Sequence, residues 1–456
     1  MTTAIFAKQA LTSDGWRNNV TVSIEQDGRI VDVSFKEISA DKSVDILLPA
    51  LANLHSHSFQ RAMAGLAEKR GSKPYDDFWS WRKVMYHFLE ILTPQDIEAI
   101  AAQVQMEMLE SGYAACAEFH YLHHAPNGVR YDQLDELSER LYQAALKTGI
   151  GYTHLPVLYM RGGLDNQKLA GSQLRFGNDL DQFRALFDKL SDRQRGLPSD
   201  YVLGVAPHSL RAVTHQALDL CAKLNPSTPI HIHIAEQQSE VDDVIKHYKN
   251  RPVRWLLDHF SIDQRWCLVH ATHMDDSETK DLAHSNAVVG LCPITEANLG
   301  DGIFKAGDYT KLGGRFGIGS DSNVKIALNE ELRTLELSQR LRDQKRVVLT
   351  SQDSPSNGRF LYQHAASGGA QALGRNSGII EVGAFADLVA LDGDHHVSTD
   401  LKHDTILDSW IFSSDNQIVT DVWAAGRHVV RNGMHIEHEH ISRQFKQTMK
   451  KLRQAL

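Results

Sequence analysis

Residues 47–57 read LLPALANLHSH, an apolar run of strand length that stops at two histidines, His55 and His57. Seven further runs share that character: AACAEFH (114–120), GIGYTHLPVLY (149–159), YVLGVAPH (201–208), PIHIHIAE (229–236), WCLVHATH (266–273), AVVGLCPIT (287–295) and RFGIGSD (315–321). Most stop at a polar side chain capable of chemistry. Helical stretches separate most of them; PQDIEAIAAQVQMEMLESG (94–112) keeps its apolar residues three and four apart. Eight buried strands alternating with helices predict an α/β fold, a (β/α)8 TIM-type barrel over residues 49–375 with its function at the strand C-termini.

The two chain ends differ from this middle. TVSIEQDGRIVDVSF (21–35) places β-branched residues on both sides of Asp27-Gly28, a hairpin signal, and ADLVALD (386–392) and VTDVWAAGRHVVRNG (419–433) look alike in kind. Residues 1–48 and 376–456 are therefore expected to pair as one small β-sandwich domain, which requires only that the termini lie near each other. SQDSPSNGR (351–359) is the strongest loop signal before the chain returns.

The 456 residues are 42% hydrophobic and 23% charged, ordinary for a globular chain with a large core. A net charge of -9 argues against a nucleic-acid partner. MTTAIFAKQALTSDGW lacks the basic start and long apolar run of a signal peptide, and no apolar stretch approaches membrane-spanning length. Cys116, Cys221, Cys267 and Cys292 are scattered, so neither a disulfide framework nor a cysteine metal site is expected. A cytoplasmic setting follows from that usage. The unusual count is 24 histidines.

Strand alternation puts His55 and His57 on one face, where both can point at one ion. Neutral imidazoles suit a divalent transition metal such as zinc. His233 and Glu236 end the fifth run as H-I-A-E, His270 ends the sixth and Asp321 the eighth. All of them fall at the same rim of the expected barrel. His231 shares the parity of His233 but lies deeper, and is read as a packed barrel residue.

On His55-Ser56-His57, His233 with Glu236, His270 and Asp321, in that order, the chain resembles the amidohydrolase superfamily, and GAFADLVALD and VWAAGRHVVRNG resemble its closing β-domain. The resemblance implies that His55, His57, His233 and Asp321 bind one metal, with Glu236 and His270 beside the water the metal holds. Two-metal members of the superfamily carry a bridging carboxylated lysine on the fourth strand; YVLGVAPHSL (201–210) has no lysine, which favours a single ion. One divalent ion is expected, zinc in preference, though such a ligand set accepts iron as well. A divalent ion brings the pKa of its water to about 7. Asp321 and His270 can then take the water proton, and Glu236 can protonate a departing nitrogen, so Glu236, His270 and Asp321 are the expected catalytic residues.

Within the superfamily, NLHSHSFQRAMAGLAE (53–68), FWSWRKVMY (78–86), AEFHYLHH (117–124), GVAPHSLRAV (204–213) and LCPITEANLGDGIF (291–304) resemble the formimidoylglutamate deiminases of histidine degradation. That likeness implies hydrolysis of N-formimino-L-glutamate to N-formyl-L-glutamate and ammonia, with substrate roles for Gln60, Arg82, Tyr121, His208 and Arg211. Arginine offers a planar fork for a carboxylate, which suits a substrate with two of them. The alternative is an aminohydrolase of a purine or triazine ring. Many of those read P-x-S-N after the seventh strand, where this chain has Pro293-Ile294-Thr295-Glu296. No nucleic-acid or membrane partner is expected, and a homodimer is the default assembly.

Overall fold

The computed structural model describes residues 2–37, 39–68 and 78–455, excepting the side chains of residues 78–83. The chain opens with strands β1 (Thr3–Thr12), β2 (Gly15–Ile24), β3 (Ile30–Ser34) and β4 (Lys42–Pro49). The β2–β3 pair is antiparallel and turns at the expected Asp27-Gly28. Gly28 has φ 83°, and a Cβ there would sit 2.3 Å from the Ala425 carbonyl oxygen, so only glycine fits.

The middle of the chain supplies β5 (Leu51–Ser56), β6 (Tyr113–His120), β7 (Gly151–Leu158), β8 (Tyr201–Leu203), β9 (Ala206–Pro207), β10 (Ile230–Ile234), β11 (Trp266–His270), β12 (Val288–Leu291) and β13 (Arg315–Ile318). All pair in parallel, β5 to β8 in one run and β10 to β13 in another, with β9 continuing β8 alongside β7. Parallel bridges Val205–Ile230, Ser209–His233 and Ser56–Asp321 join the two runs at both seams. Counting β8 and β9 as one stave, the result is a closed (β/α)8 barrel. Covered on both faces, its strands carry apolar runs rather than alternation.

Helices cover the outside. Pro94–Glu110 begins at a reciprocal cap: the Thr93 hydroxyl accepts from Asp96 N (3.3 Å), and the Asp96 carboxylate accepts from Thr93 N (3.0 Å). Asn357–Ala372 packs on β13 through Gly368, where a Cβ would meet the Phe316 carbonyl oxygen at 1.9 Å, and on β5 through Gly369, where one would meet the Ala52 carbonyl oxygen at 2.8 Å. The expected loop at 351–359 is shorter than read, because this helix claims its last three residues and Ser356 caps it.

The return adds β14 (Leu388–Leu391), β15 (Val419–Ala424), β16 (Arg427–Arg431) and β17 (Met434–His435). The β-domain expected from both chain ends is built as one eight-stranded sheet, ordered β17-β16-β15-β14-β4-β1-β2-β3, with its own small core around Ile5, Val22, Leu47 and Trp423. The first apolar run therefore serves two sheets: Leu48 and Pro49 pair with β14, and the barrel stave starts at Leu51. Arg375 ties barrel to sheet, pairing with Asp387 at 2.6 Å and Asp200 at 3.1 Å while fully buried. Among the described residues no helix is long and apolar enough to cross a membrane.

Candidate active site

Four side chains converge at the C-terminal rim. His55 lies on β5, with His57 just beyond it, His233 lies on β10, and Asp321 follows β13. His55 Nε2 stands 3.0 Å from His233 Nε2 and 3.4 Å from Asp321 Oδ1, and His57 Nε2 stands 3.3 Å from the same oxygen. The four donor atoms lie within 4.8 Å of one another, and all four residues are buried. His57 Nδ1 faces the Phe119 carbonyl at 3.0 Å and His233 Nδ1 the His208 carbonyl at 3.3 Å. Those carbonyls accept a ring proton, which leaves the Nε2 lone pairs turned inward. Burial pushes His57 down to about 3 and His233 well below the ordinary imidazole value, so both are neutral. Burial also pushes the Asp321 carboxyl up, but His55, His57 and His270 outweigh that and hold it anionic. Three imidazoles and one carboxylate oxygen, buried at the floor of a cavity, fit a divalent metal ion.

Two strand-end turns beside this cluster are strained into the left-handed region: Ala235 has φ 50° and His270 φ 67°. Glu240 holds the first, accepting from Ala235 N and Glu236 N at 3.1 Å each. Glu236 Oε1 lies 3.9 Å from His270 Nε2, and Asp321 Oδ2 lies 4.0 Å from it. Burial raises the Glu236 carboxyl, the direction an acid that donates near neutral pH requires. Burial would strip the His270 proton, but Glu236, Glu296 and Asp321 outweigh it and raise its pKa. The structure thus brings Glu236, His270 and Asp321 together at one edge of the cluster.

A cavity of about 60 Å³ opens over them, lined also by Gln60, Tyr121, His208 and Arg211. Gln60 Nε2 donates to the Tyr121 hydroxyl at 2.8 Å. Arg211 is half-buried, and its Nε is sealed from water with no hydrogen-bond partner among the described residues. It also lines a second cavity of about 550 Å³, which shares only Glu236 and Arg211 with the first. Arg82, expected at the substrate, falls on helix Phe78–Ile91, but its side chain lies outside the described residues. Arg161, the other arginine past a strand end, is committed to the scaffold: it donates to the carbonyls of Leu210 (3.0 Å) and Arg211 (3.2 Å) and to the Tyr248 hydroxyl (3.0 Å). His231 is packed, its Nε2 2.7 Å from the Ala372 carbonyl oxygen.

Sequence reasoning missed three carboxylates. Glu118 accepts from Ser58 N (2.7 Å) and Ser58 Oγ (2.8 Å), anchoring the turn that carries His57 and Gln60. Its signal was a lone charge inside the apolar run AACAEFH. Glu296 meets His270 Nδ1 at 3.1 Å, and its signal was the departure at Pro293-Ile294-Thr295-Glu296. Glu240 carried no sequence signal beyond a place in the first turn of the helix Gln238–Tyr248.

Three histidines and an aspartate able to hold a metal ion at the mouth of a parallel barrel, with an acid and a histidine beside them, are the features of a metal-dependent hydrolase. The sequence matches the amidohydrolase family model over residues 46–429, and the chain belongs to that family. Residues 2–45 match the model described as formimidoylglutamate deiminase HutF, N-terminal domain. The chain is 47% identical to the formimidoylglutamate deiminase of Pseudomonas aeruginosa, covering 98% of this chain and 99% of that one. It is 28% identical to the 5-methylthioadenosine/S-adenosylhomocysteine deaminase of Haloarcula marismortui, over 78% of this chain and 74% of the other. The crystal structure of an amidohydrolase from Brucella melitensis superposes with a TM-score of 0.94 at 44% identity, covering 99% of both chains. An adenosine deaminase from Xanthomonas campestris with bound zinc shares the fold, with a TM-score of 0.82 at 20% identity over 99% of this chain and 98% of that one.

Proposed function

We propose that this chain hydrolyses N-formimino-L-glutamate to N-formyl-L-glutamate and ammonia, a step of histidine degradation. The overall reaction adds water across the C=N carbon and expels its terminal nitrogen as ammonia. The observation that carries the reading is Arg211, which lines the reaction cavity with Glu236 and His270 and keeps a water-sealed Nε without a partner among the described residues. A buried donor left open at a cavity wall can be completed by a substrate acceptor, and a planar fork suits a carboxylate. The near-full-length likeness to the Pseudomonas aeruginosa deiminase supports the same substrate.

His55, His57, His233 and Asp321 would hold one divalent ion, zinc in this proposal. Such an ion supplies water acidified enough to lose its proton near neutral pH. Every other task falls to side chains. Arg211 and Arg82 hold the two carboxylates of the substrate, and Gln60, Tyr121 and His208 contact the remainder. Asp321 and His270 take the proton released by the attacking water. Glu236 delivers a proton to the departing nitrogen, which leaves a tetrahedral carbon poorly unless protonated. The four cysteines, free and buried, suit a reducing cytoplasm, and a homodimer is the proposed assembly. Ammonia release measured on N-formimino-L-glutamate, guanine and 5-methylthioadenosine tests the reading. Turnover of a ring substrate without turnover of the formimino compound overturns it.

A further inference from the structure

Glu296 is a third carboxylate at the reaction edge, after Glu236 and Asp321, and the proposed reaction gives it no task at the metal or the substrate. It sits in the first turn of the helix Pro293–Leu299, just beyond β12, and is 7% exposed. One of its oxygens, Oε1, accepts from Cys292 N at 2.9 Å and meets His270 Nδ1 at 3.1 Å. The two contacts do different things. The first fastens the carboxylate to a barrel strand end, so it is a fixed object rather than a swinging side chain. The second takes the Nδ1 proton of His270, which leaves Nε2 as the nitrogen facing Glu236 and Asp321.

His270 needs an external support of this kind. Its backbone lies in the left-handed region, with φ 67°, at the strained end of β11. Its ring stacks on His233, with centroids 5.6 Å apart and planes 14° apart, a contact that does not distinguish the ring from its flipped form. Glu236 and Asp321 face Nε2 at 3.9 and 4.0 Å, beyond hydrogen-bond reach, so the close contact that separates the two orientations is the 3.1 Å one at Nδ1. A flipped ring would turn a carbon toward Glu236 and Asp321 and place no exchangeable nitrogen there.

We infer that Glu296 is a positioning residue for His270: by accepting the Nδ1 proton it selects the ring orientation that presents Nε2 to the reacting water, and it supports kcat without touching the substrate. The inference rests on His270 acting in the proposed deimination. Hydrogen-bond acceptance sets the ring orientation, so an uncharged acceptor of the same length keeps that orientation and forfeits only the carboxylate's share in raising the His270 pKa.

The test compares Glu296→Ala, Glu296→Gln and Glu296→Asp in the metal-loaded full chain, on whichever substrate of the ammonia-release panel the wild type turns over. A failure of the substrate proposal is thereby read separately, in the wild type. Misplacing a reacting group by about 1 Å costs roughly 10²-fold, so Glu296→Ala should lower kcat by about that factor, with KM and metal content unchanged. Glu296→Gln should recover most of the rate. Glu296→Asp, one methylene too short to reach His270 from its Cys292 anchor, should stay slow. If the alanine variant fails to fold, the Gln and Asp variants carry the comparison. Adding Glu296→Ala to His270→Ala should cost nothing more, because residues that act as a unit are not additive. A crystal structure of Glu296→Ala or Glu296→Asp should show the His270 ring turned or in two orientations. The inference is overturned by Glu296→Gln as slow as Glu296→Asp, by an unmoved His270 ring, or by a fall in Tm alone with kcat intact, which would mean a helix cap and nothing more.

Discussion

Asp321 and His55 are joined twice. The Asp321 backbone N donates to the His55 carbonyl at 2.9 Å, and the Asp321 Oδ1 lies 3.4 Å from the His55 ring Nε2. The first contact closes the barrel between its first and last staves. The second belongs to the candidate metal cluster, so closure and cluster depend on the same residue. Asp321 holds φ 44°, a conformation that costs a non-glycine residue on the order of 1–3 kcal/mol. A buried chain of hydrogen bonds from Asn53 to Ser320 (2.7 Å) and from Ser320 to Asn323 (2.6 Å) braces the turn.

Replacing Asp321 with Ala should remove the ion and the activity together. Metal analysis should find about one ion per wild-type chain and almost none in the variant. Because an ion held only by the folded state stabilises it by linkage, a chelator should lower the wild-type Tm and leave the variant's nearly unchanged. Two ions per chain at full activity would contradict the single-site proposal.

Glu236→Gln keeps the shape of the side chain and removes its capacity to donate a carboxylic proton. It should retain the metal and lose about 10²–10⁴-fold in kcat, the usual contribution of a positioned acid or base. A metal-replete variant turning over at nearly the wild-type rate would end the proton-delivery role.

Arg211→Ala should lower kcat/KM on N-formimino-L-glutamate while leaving metal content alone. Losing one side of a charge-assisted pair costs roughly 2–5 kcal/mol, or about 30-fold to several thousand-fold. Arg211→Lys should recover only part, because an ammonium lacks the two-pronged fork. Unchanged kcat/KM in both variants would remove Arg211 from the substrate site.

Acid should destabilise the fold through its buried histidines. Burial holds His123 down to about 4 and His154 down to about 3, so both stay neutral in the folded chain. In the unfolded chain each takes up a proton below an ordinary pKa of about 6.5. The unfolded state then binds more protons, and stability falls as pH drops, by about 1.4 kcal/mol per pH unit for each histidine between pH ~6.5 and ~4. Denaturant midpoints should decline across that window, and His154→Gln should make the decline shallower. Equal midpoints at pH 7 and pH 5 would refute this.

The barrel, the six residues His55, His57, His233, Glu236, His270 and Asp321, and the pairing of the chain ends were all legible in the amino-acid sequence. The reason is local: a parallel stave is one short apolar run, and its reactive residue is the polar one at its end, so spacing within a dozen residues reports both. Tertiary structure alone decided the rest. Leu48 and Leu51 belong to one apolar run yet to different sheets, because Pro49 and its neighbours find their hydrogen-bond partners on β14, more than 300 residues away in the chain. Arg161 and Arg211 look interchangeable as residues past strand ends, but only closure of the loops gives Arg161 its carbonyl partners and leaves the Arg211 Nε without one among the described residues. Glu118 reaches Ser58 across 60 positions, and Glu296 reaches His270 across 26. A carboxylate's role depends on which donor the fold brings within about 3 Å of it, and that distance is set by the packing of the whole barrel, not by the neighbours in sequence.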